Sequence, residues 1–309
     1  MDCDASPTLA RVTTDPLQAL VALPGVADAV ARARAACEEL RWHEAFRRTW
    51  REVRAESTVR SARASAALEG AGIPLDVLRD AARGAAAVPP DGQGRLAFGA
   101  LRAAAEVERL LPVLGARHTA VLPPFGQLLA RLHAAAAVGL GRGAGGDDVG
   151  RPRGETPASD LTGLGPSPSG ADVAARLDLL GDLVRTSTAP ALVVAGVVHG
   201  ELLALRPFAV GNGVVARATF RLLVASRGLD PTGAVVADVG WLGSVNGYLG
   251  AAAGFATGTP SGVATWLVTC ADAVRAGAAE GRSIADAVLA GRLEPRPEGQ
   301  LDGPASAPQ

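Results

Sequence analysis

The run PALVVAGVVHGELLAL, from Pro190 to Leu205, is apolar on nearly every face. A helix with that pattern has no side to offer to water, so other segments must surround it. The chain is therefore read as a helical bundle with this segment at its buried centre. Composition agrees. Hydrophobic residues make up 48% of the chain but aromatics only 4%. Ala and Leu favour helix, and scarcity of Ile, Tyr and Phe weakens any case for an extensive sheet. The expected fold class is all-α.

Periodicity places the other elements. Asp28–Ser57 reads as a charged amphipathic helix or two, continued by Thr58–Leu68, and helices are also expected over Leu75–Arg83, Arg95–Leu111 and, after Pro124, through Val138. In the first of these, Val30, Ala36, Leu40 and Phe46 are the candidate inward positions. From Ala171 onward, ADVAARLDLLGDLV, GVVARATFRLLVAS, WLGSVNGYLGAAAG and PSGVATWLVTCADAVRAGAAE each read as a helix. Gly139–Gly170 differs. It is rich in Gly, Pro, Ser and Asp and lacks apolar periodicity, so it reads as a long surface loop with room for a short hairpin. Its GRGAGG meets G-x-G-x-x-G at Gly141, Gly143 and Gly146. Neither the strand before nor the helix after that a dinucleotide site requires is present. The closing PRPEGQLDGPASAPQ has the composition of a disordered tail.

Several function classes are excluded. All 30 basic residues are Arg, which removes a P-loop lysine and any Schiff-base chemistry. A net charge of −1 with few aromatics argues against nucleic acid as a partner. Cys3, Cys37 and Cys270 are too scattered for a disulfide framework or a zinc site, which suits a reducing compartment. The N-terminus lacks a secretory h-region, and the run Ala189–Val198 is too short to span a bilayer before His199 and Glu201 interrupt it. A soluble, cytoplasmic protein is expected. His43, His118 and His133 are scattered and receive no role. No G-x-S-x-G, H-E-x-x-H or Ser-His-Asp arrangement is present.

The stretch RPFAVGNGVVAR, Arg206 to Arg217, interrupts two apolar runs. Pro207 pushes Arg206 out of helical geometry. Gly211 and Gly213 permit positive φ or close approach to bare backbone. Asn212 suits the N-cap of the next helix. Two readings fit this physics. One is a plain helix–loop–helix turn with a capping Asn. The other is a helix N-terminus whose free N–H groups hold a phosphate, with Arg217 one turn in as a cation.

The same stretch resembles the Fic/Doc (Fido) signature of protein AMP-transferases, H-x-F-x-[DE]-G-N-G-R-x-x-R. Phe208, Gly211, Asn212, Gly213 and Arg217 match it. Pro207 is common at its place, and His199 stands where members often carry a His two turns upstream. SAALEG, Ser65 to Gly70, resembles the family's inhibitory-helix pattern [ST]-x-x-x-E-[GN], and TPSGVATWLVTCADAV resembles the closing helix of Fic cores. The resemblance implies a Fido-type helical bundle with at most a small β-hairpin flap, within one mostly helical domain. Along the chain it implies an N-terminal segment over 1–27, N-terminal helices over 28–115, a core over 116–281, and a closing turn and tail over 282–309. It also implies a nucleotide or phosphate site at Gly211, Asn212, Gly213 and Arg217. Ser65 and Glu69 would be inhibitory residues, with Glu69 paired to Arg217.

The departures fall on the chemistry. The family's general base is replaced by Arg206, which stays protonated and cannot accept a proton. Its metal-holding carboxylate is Val210, which has no oxygen for Mg²⁺. Its first phosphate-binding Arg is Val214. His199 lies roughly 10 Å along the helix from Arg206, too far to replace the base. The expectation is a degenerate Fic protein, inactive in AMP transfer, with weak binding of ATP or another nucleotide, without Mg²⁺, and with a possible protein partner. Two alternatives stand beside it: a transferase acting on a protein hydroxyl through a non-standard base, and a non-catalytic interaction module.

Overall fold

A computed structural model describes residues 15–87, 89–115, 121–137 and 148–293. Among them are twelve α-helices and no strand. In order they are α1 (Gln18–Val21), α2 (Val26–Arg41), α3 (Trp50–Leu68), α4 (Leu75–Arg83), α5 (Gly92–Leu110) and α6 (Phe125–Ala137). There follow α7 (Gly170–Thr186), α8 (Ala191–Leu205), α9 (Asn212–Ser226), α10 (Ala237–Leu242), α11 (Val245–Ala256) and α12 (Pro260–Leu289). Residues 138–147, with GRGAGG, lie outside the described residues, as do His118, Cys3 and the C-terminal tail.

The apolar helix sits where its sequence requires. α8 packs against α7, α9, α11 and α12, and its residues from Leu192 to Gly200 are all buried. α9 is enclosed almost as fully, between α8, α3, α5 and α6, although it carries Arg217 and Arg221. Arg217 finds its partners on and beside α3 and on α10. Arg221 donates through Nη2 to Thr58 on α3 and to the Gly233 carbonyl, its Nε and Nη1 being left without a partner. α12 lies along α2, α10 and α11 and closes the far side.

Helix limits depart from expectation in three places. The run from Asp28 to Leu68 breaks between Arg41 and Trp50, where His43 caps a short 3-10 turn over Glu44–Arg47. WLGSVNGYLGAAAG is two helices, because Ser244 takes an extended φ of −150° and breaks the run between α10 and α11. α12 continues past Glu280 to Leu289, since Ile284 and Ala285 are buried and carry it on. On α2 the buried face is Val26, Ala29, Ala33, Cys37 and Leu40, while Val30 and Ala36 are only half-buried. Leu40 is buried as expected, and Phe46 is buried in the 3-10 turn that follows α2. Cys37 and Cys270 are buried free thiols, each pushed up by burial. No helix among the described residues is long and apolar enough to cross a membrane.

Candidate functional site

The loop between α8 and α9 contains two left-handed residues. Arg206 has φ 46° and ψ 66°, which costs a residue with a Cβ about 1–2 kcal/mol. Pro207 bars the right-handed alternative. Gly211, at φ 81°, is the N-cap of α9. Asn212 is therefore not the N-cap, as its residue type suggested, but the first residue of the helix. Its amide reaches back instead. Oδ1 accepts from the Phe208 N–H at 2.8 Å, and Nδ2 donates to the Phe208 carbonyl at 2.8 Å.

The segment expected to be a surface loop is strapped onto this turn. The described part, residues 148–169, contains no strand. Arg153 is buried, and its Nε donates to the Arg206 carbonyl at 2.8 Å. Its Nη2 donates to the carbonyls of Leu205 at 3.1 Å and Pro168 at 2.7 Å. Backbone bonds join Arg153 N–H to Pro207 and Ser159 N–H to Ala209. In the other direction, the Arg206 guanidinium donates to the carbonyls of Gly165 at 2.7 Å and Pro166 at 2.8 Å. Two guanidiniums bonded to carbonyls hold the strap that a polar composition left free, with Arg206 Nε alone of their nitrogens buried without a partner. Burial lowers the Arg206 pKa, and neighbouring Arg153 adds to that; Asp160 opposes it.

Asp160 completes the strap. Its Oδ2 accepts the backbone N–H of Asn212 at 2.7 Å, and its Oδ1 accepts Nδ2 of Asn212 at 2.7 Å. The N–H expected to face outward at the start of α9 therefore already holds a carboxylate. Burial raises the Asp160 pKa against the pull of these Asn212 bonds, and Glu69 adds to the rise.

His133, which had no role in the sequence, braces the turn from α6. Its ring stacks on Phe208 with centroids 3.9 Å apart and planes 3° from parallel. Nε2 faces the Val210 carbonyl at 3.1 Å, and Nδ1 accepts from the Gly150 N–H at 2.9 Å. These partners select the neutral Nε2–H tautomer. Burial pushes its pKa down to about 4.

Below the turn, Ser65, Glu69 and Arg217 come together. Arg217 donates through Nε to the Ser65 hydroxyl at 2.8 Å, and through Nη2 to the Ser65 carbonyl at 3.0 Å and Glu69 Oε1 at 2.7 Å. Asp238 Oδ1 lies 3.7 Å from Nε, and its other oxygen accepts from Ser61 at 2.6 Å. Arg217 is 2% exposed. Burial works against its charge, but Glu69, Tyr248 and Asp238 outweigh it and raise its pKa. Gly213 makes room for the pair. A Cβ there would stand 2.1 Å from Glu69 Oε1 and 3.0 Å from Arg217 Nη1. Of the two glycines, Gly211 is needed for its φ and Gly213 for its space.

His199 lies in the core. Its Nε2 bonds the Tyr248 hydroxyl at 2.9 Å, while Trp241, Trp266 and Phe220 surround the ring. Burial, and then Arg217, hold its pKa well below the usual value.

The groups that remain open form a cavity of about 340 Å³ lined by Glu69, Arg95, Asp160, Val210, Gly211 and Val214. Two carboxylates and one guanidinium supply its charge. Val210 and Val214 offer only methyl groups. No group of three or more His, Cys, Asp or Glu suited to a metal ion occurs among the described residues.

This architecture has solved counterparts. A Fic family protein from Desulfovibrio desulfuricans G20 matches with a TM-score of 0.64 at 22% identity, over 84% of this chain and 74% of that one. The fold is the Fic fold. Fic-1 (aa134–508) from C. elegans matches with a TM-score of 0.62 at 16% identity, over 86% of this chain and 73% of that one. A Fic domain containing signaling protein from Bacteroides thetaiotaomicron VPI-5482 gives 0.61 at 13%, over 84% and 98%. No protein-family model matches the sequence, and no curated protein matches it. At these identities the Fic likeness carries the architecture, and the chemistry rests on this chain's own side chains.

Proposed function

We propose that this chain is a Fic-fold protein without AMP-transfer activity, whose phosphate cradle is closed by its own Asp160. One observation carries the reading: both Asp160 oxygens accept from Asn212, at 2.7 Å each. A carboxylate there occupies the helix N-terminal donor that a phosphate would need. The remaining side chains agree with it. Arg206, at the position of the family's base, is protonated, buried and committed to strap carbonyls. Val210 and Val214 offer neither a carboxylate for magnesium nor an arginine clamp at the two positions where the family carries them. Glu69 and Asp160 repel a triphosphate from the same cavity. Magnesium-bound ATP does not fit this set of residues, and nucleotide binding would be weak because Asp160 must first leave Asn212. Glu69 and Arg217 then act as a structural clamp between α3 and α9, in the place of the family's inhibitory pair.

Calorimetric titration with ATP and ADP, with and without Mg²⁺, tests the closed cradle. Weak binding that Mg²⁺ does not strengthen is the expected result. Incubation with labelled ATP and a cell lysate tests transfer. Labelling that disappears in Arg217→Ala would overturn the reading.

A further inference from the structure

Away from the cradle, α3, α4 and α5 border an open groove of about 570 Å³. Its open apolar surface comes from Trp50 and Ala55 on α3, Ala82 on α4 and Phe98 on α5, over a floor of buried Val59 and Leu101. Phe98 is 40% exposed, the groove's one large side chain left in water to that degree. Ala55 and Ala82 are exposed along it, so no side chain among the described residues fills the space between them.

The charge around the groove is one-sided. The Arg51 guanidinium lies 4.6 Å from the Trp50 ring, and that of Arg102 lies 5.8 Å from the Phe98 ring. Neither makes an ion pair or a hydrogen bond to an acid among the described residues. The other charges there are already matched. Glu108 pairs with Arg54 at 2.6 Å, and Arg109 pairs with Glu106 at 2.8 Å. Two arginines are therefore held on aromatic faces with their donors open. Such stacking limits side-chain freedom, so little ordering entropy remains to be lost on meeting a carboxylate.

We propose that this groove docks an acidic amphipathic helix of a partner protein. Apolar residues at i, i+3, i+4 and i+7 would lie over Trp50, Ala55, Ala82 and Phe98, as in helix-in-groove recognition. Carboxylates beside that stripe would take Arg51 and Arg102. The absence of any strand among the described residues leaves no sheet edge here for strand addition. The assignment is independent of the closed cradle, because none of its residues lines that cavity.

The test is fluorescence anisotropy with the intact protein. The probe is a fluorescein-labelled helical peptide with leucines along one face and glutamates elsewhere. Its lysine and glutamine counterparts serve as controls. The glutamate peptide should bind, and more weakly as salt rises. Arg51→Glu with Arg102→Glu should weaken it about tenfold or more. Ala55→Trp, which fills the groove without touching charge, should weaken it to a similar extent. Thermal melts of both variants separate loss of binding from loss of fold. Three outcomes would overturn the proposal: no binding, equal binding of the lysine peptide, or binding unchanged in both variants. Concentration-dependent dimerisation that both variants abolish would also overturn it, by assigning the groove to a second copy of the chain.

Discussion

Asp160 and Asn212 are joined by two hydrogen bonds of 2.7 Å, one to the backbone N–H and one to the side-chain amide. With the two bonds to Phe208, every polar group of the Asn212 amide is in use. The first N–H of α9 is therefore already bonded within the chain. Asp160→Ala removes the carboxylate and leaves both Asn212 donors open. The expected outcome is a rise of about tenfold or more in affinity for inorganic phosphate or ADP, read by calorimetry. Stability should fall by about 1–3 kcal/mol, as expected when charge-assisted bonds are lost. Unchanged phosphate affinity would mean that Asp160 is not what closes the cradle.

Glu69, Gly213 and Arg217 form one unit. Glu69→Ala leaves a guanidinium with 1% side-chain exposure, still bonded to Ser65 but with Asp238 at 3.7 Å as its one remaining carboxylate among the described residues. A buried charge that loses its partner costs about 3–5 kcal/mol. Gly213→Ala should also destabilise, because its Cβ displaces Glu69 Oε1 from 2.1 Å away. If displacement of Glu69 is the mechanism, the two substitutions are not additive. Gly213→Ala should cost clearly less in the Glu69→Ala background, in a double-mutant cycle read by urea denaturation. Additive costs would place the strain elsewhere in α9.

Much of this site was legible because its signals are local. The α8–α9 turn follows from Pro207, Gly211 and the apolar runs on either side. The Glu69–Arg217 contact spans 148 residues, but a motif at each end marked it. Asp160 and Arg153 were not legible. Each lies in a polar run without periodicity, and their partners are 52 and 53 residues away. His133 reaches Val210 across 77 residues, and nothing in a helix sequence announces such a stack. Buried polar residues meet through tertiary packing, which hydrophobic periodicity does not encode.

His133 makes stability depend on pH. Its pKa is about 4 in the fold, against an ordinary 6.5. Between these values the unfolded chain binds the extra proton, so stability rises with pH across the window. It is lost as pH falls from about 6.5 toward 4, by roughly 3 kcal/mol in all. Protonation at Nδ1 also breaks the bond from Gly150. His133→Gln should be less stable at neutral pH and should flatten this dependence. A wild-type profile that the substitution leaves unchanged would assign the acid sensitivity to other groups.

Completing the signature that this stretch resembles tests the proposed reading. Arg206→His, Val210→Asp and Val214→Arg together would return a base, a metal ligand and a phosphate contact. They would not remove Asp160 from Asn212, and they would keep Glu69 on Arg217. Arg206→His would also release the strap at Gly165 and Pro166. The triple variant is therefore expected to fold less stably and to show no transfer from labelled ATP. Adding Asp160→Ala and Glu69→Gly should open both the cradle and the clamp, and labelling should then appear. Labelling by the triple variant alone would show that Asp160 yields readily to a nucleotide. No labelling by the fuller set, with a normal melt, would show that the surface receiving the target has been lost as well.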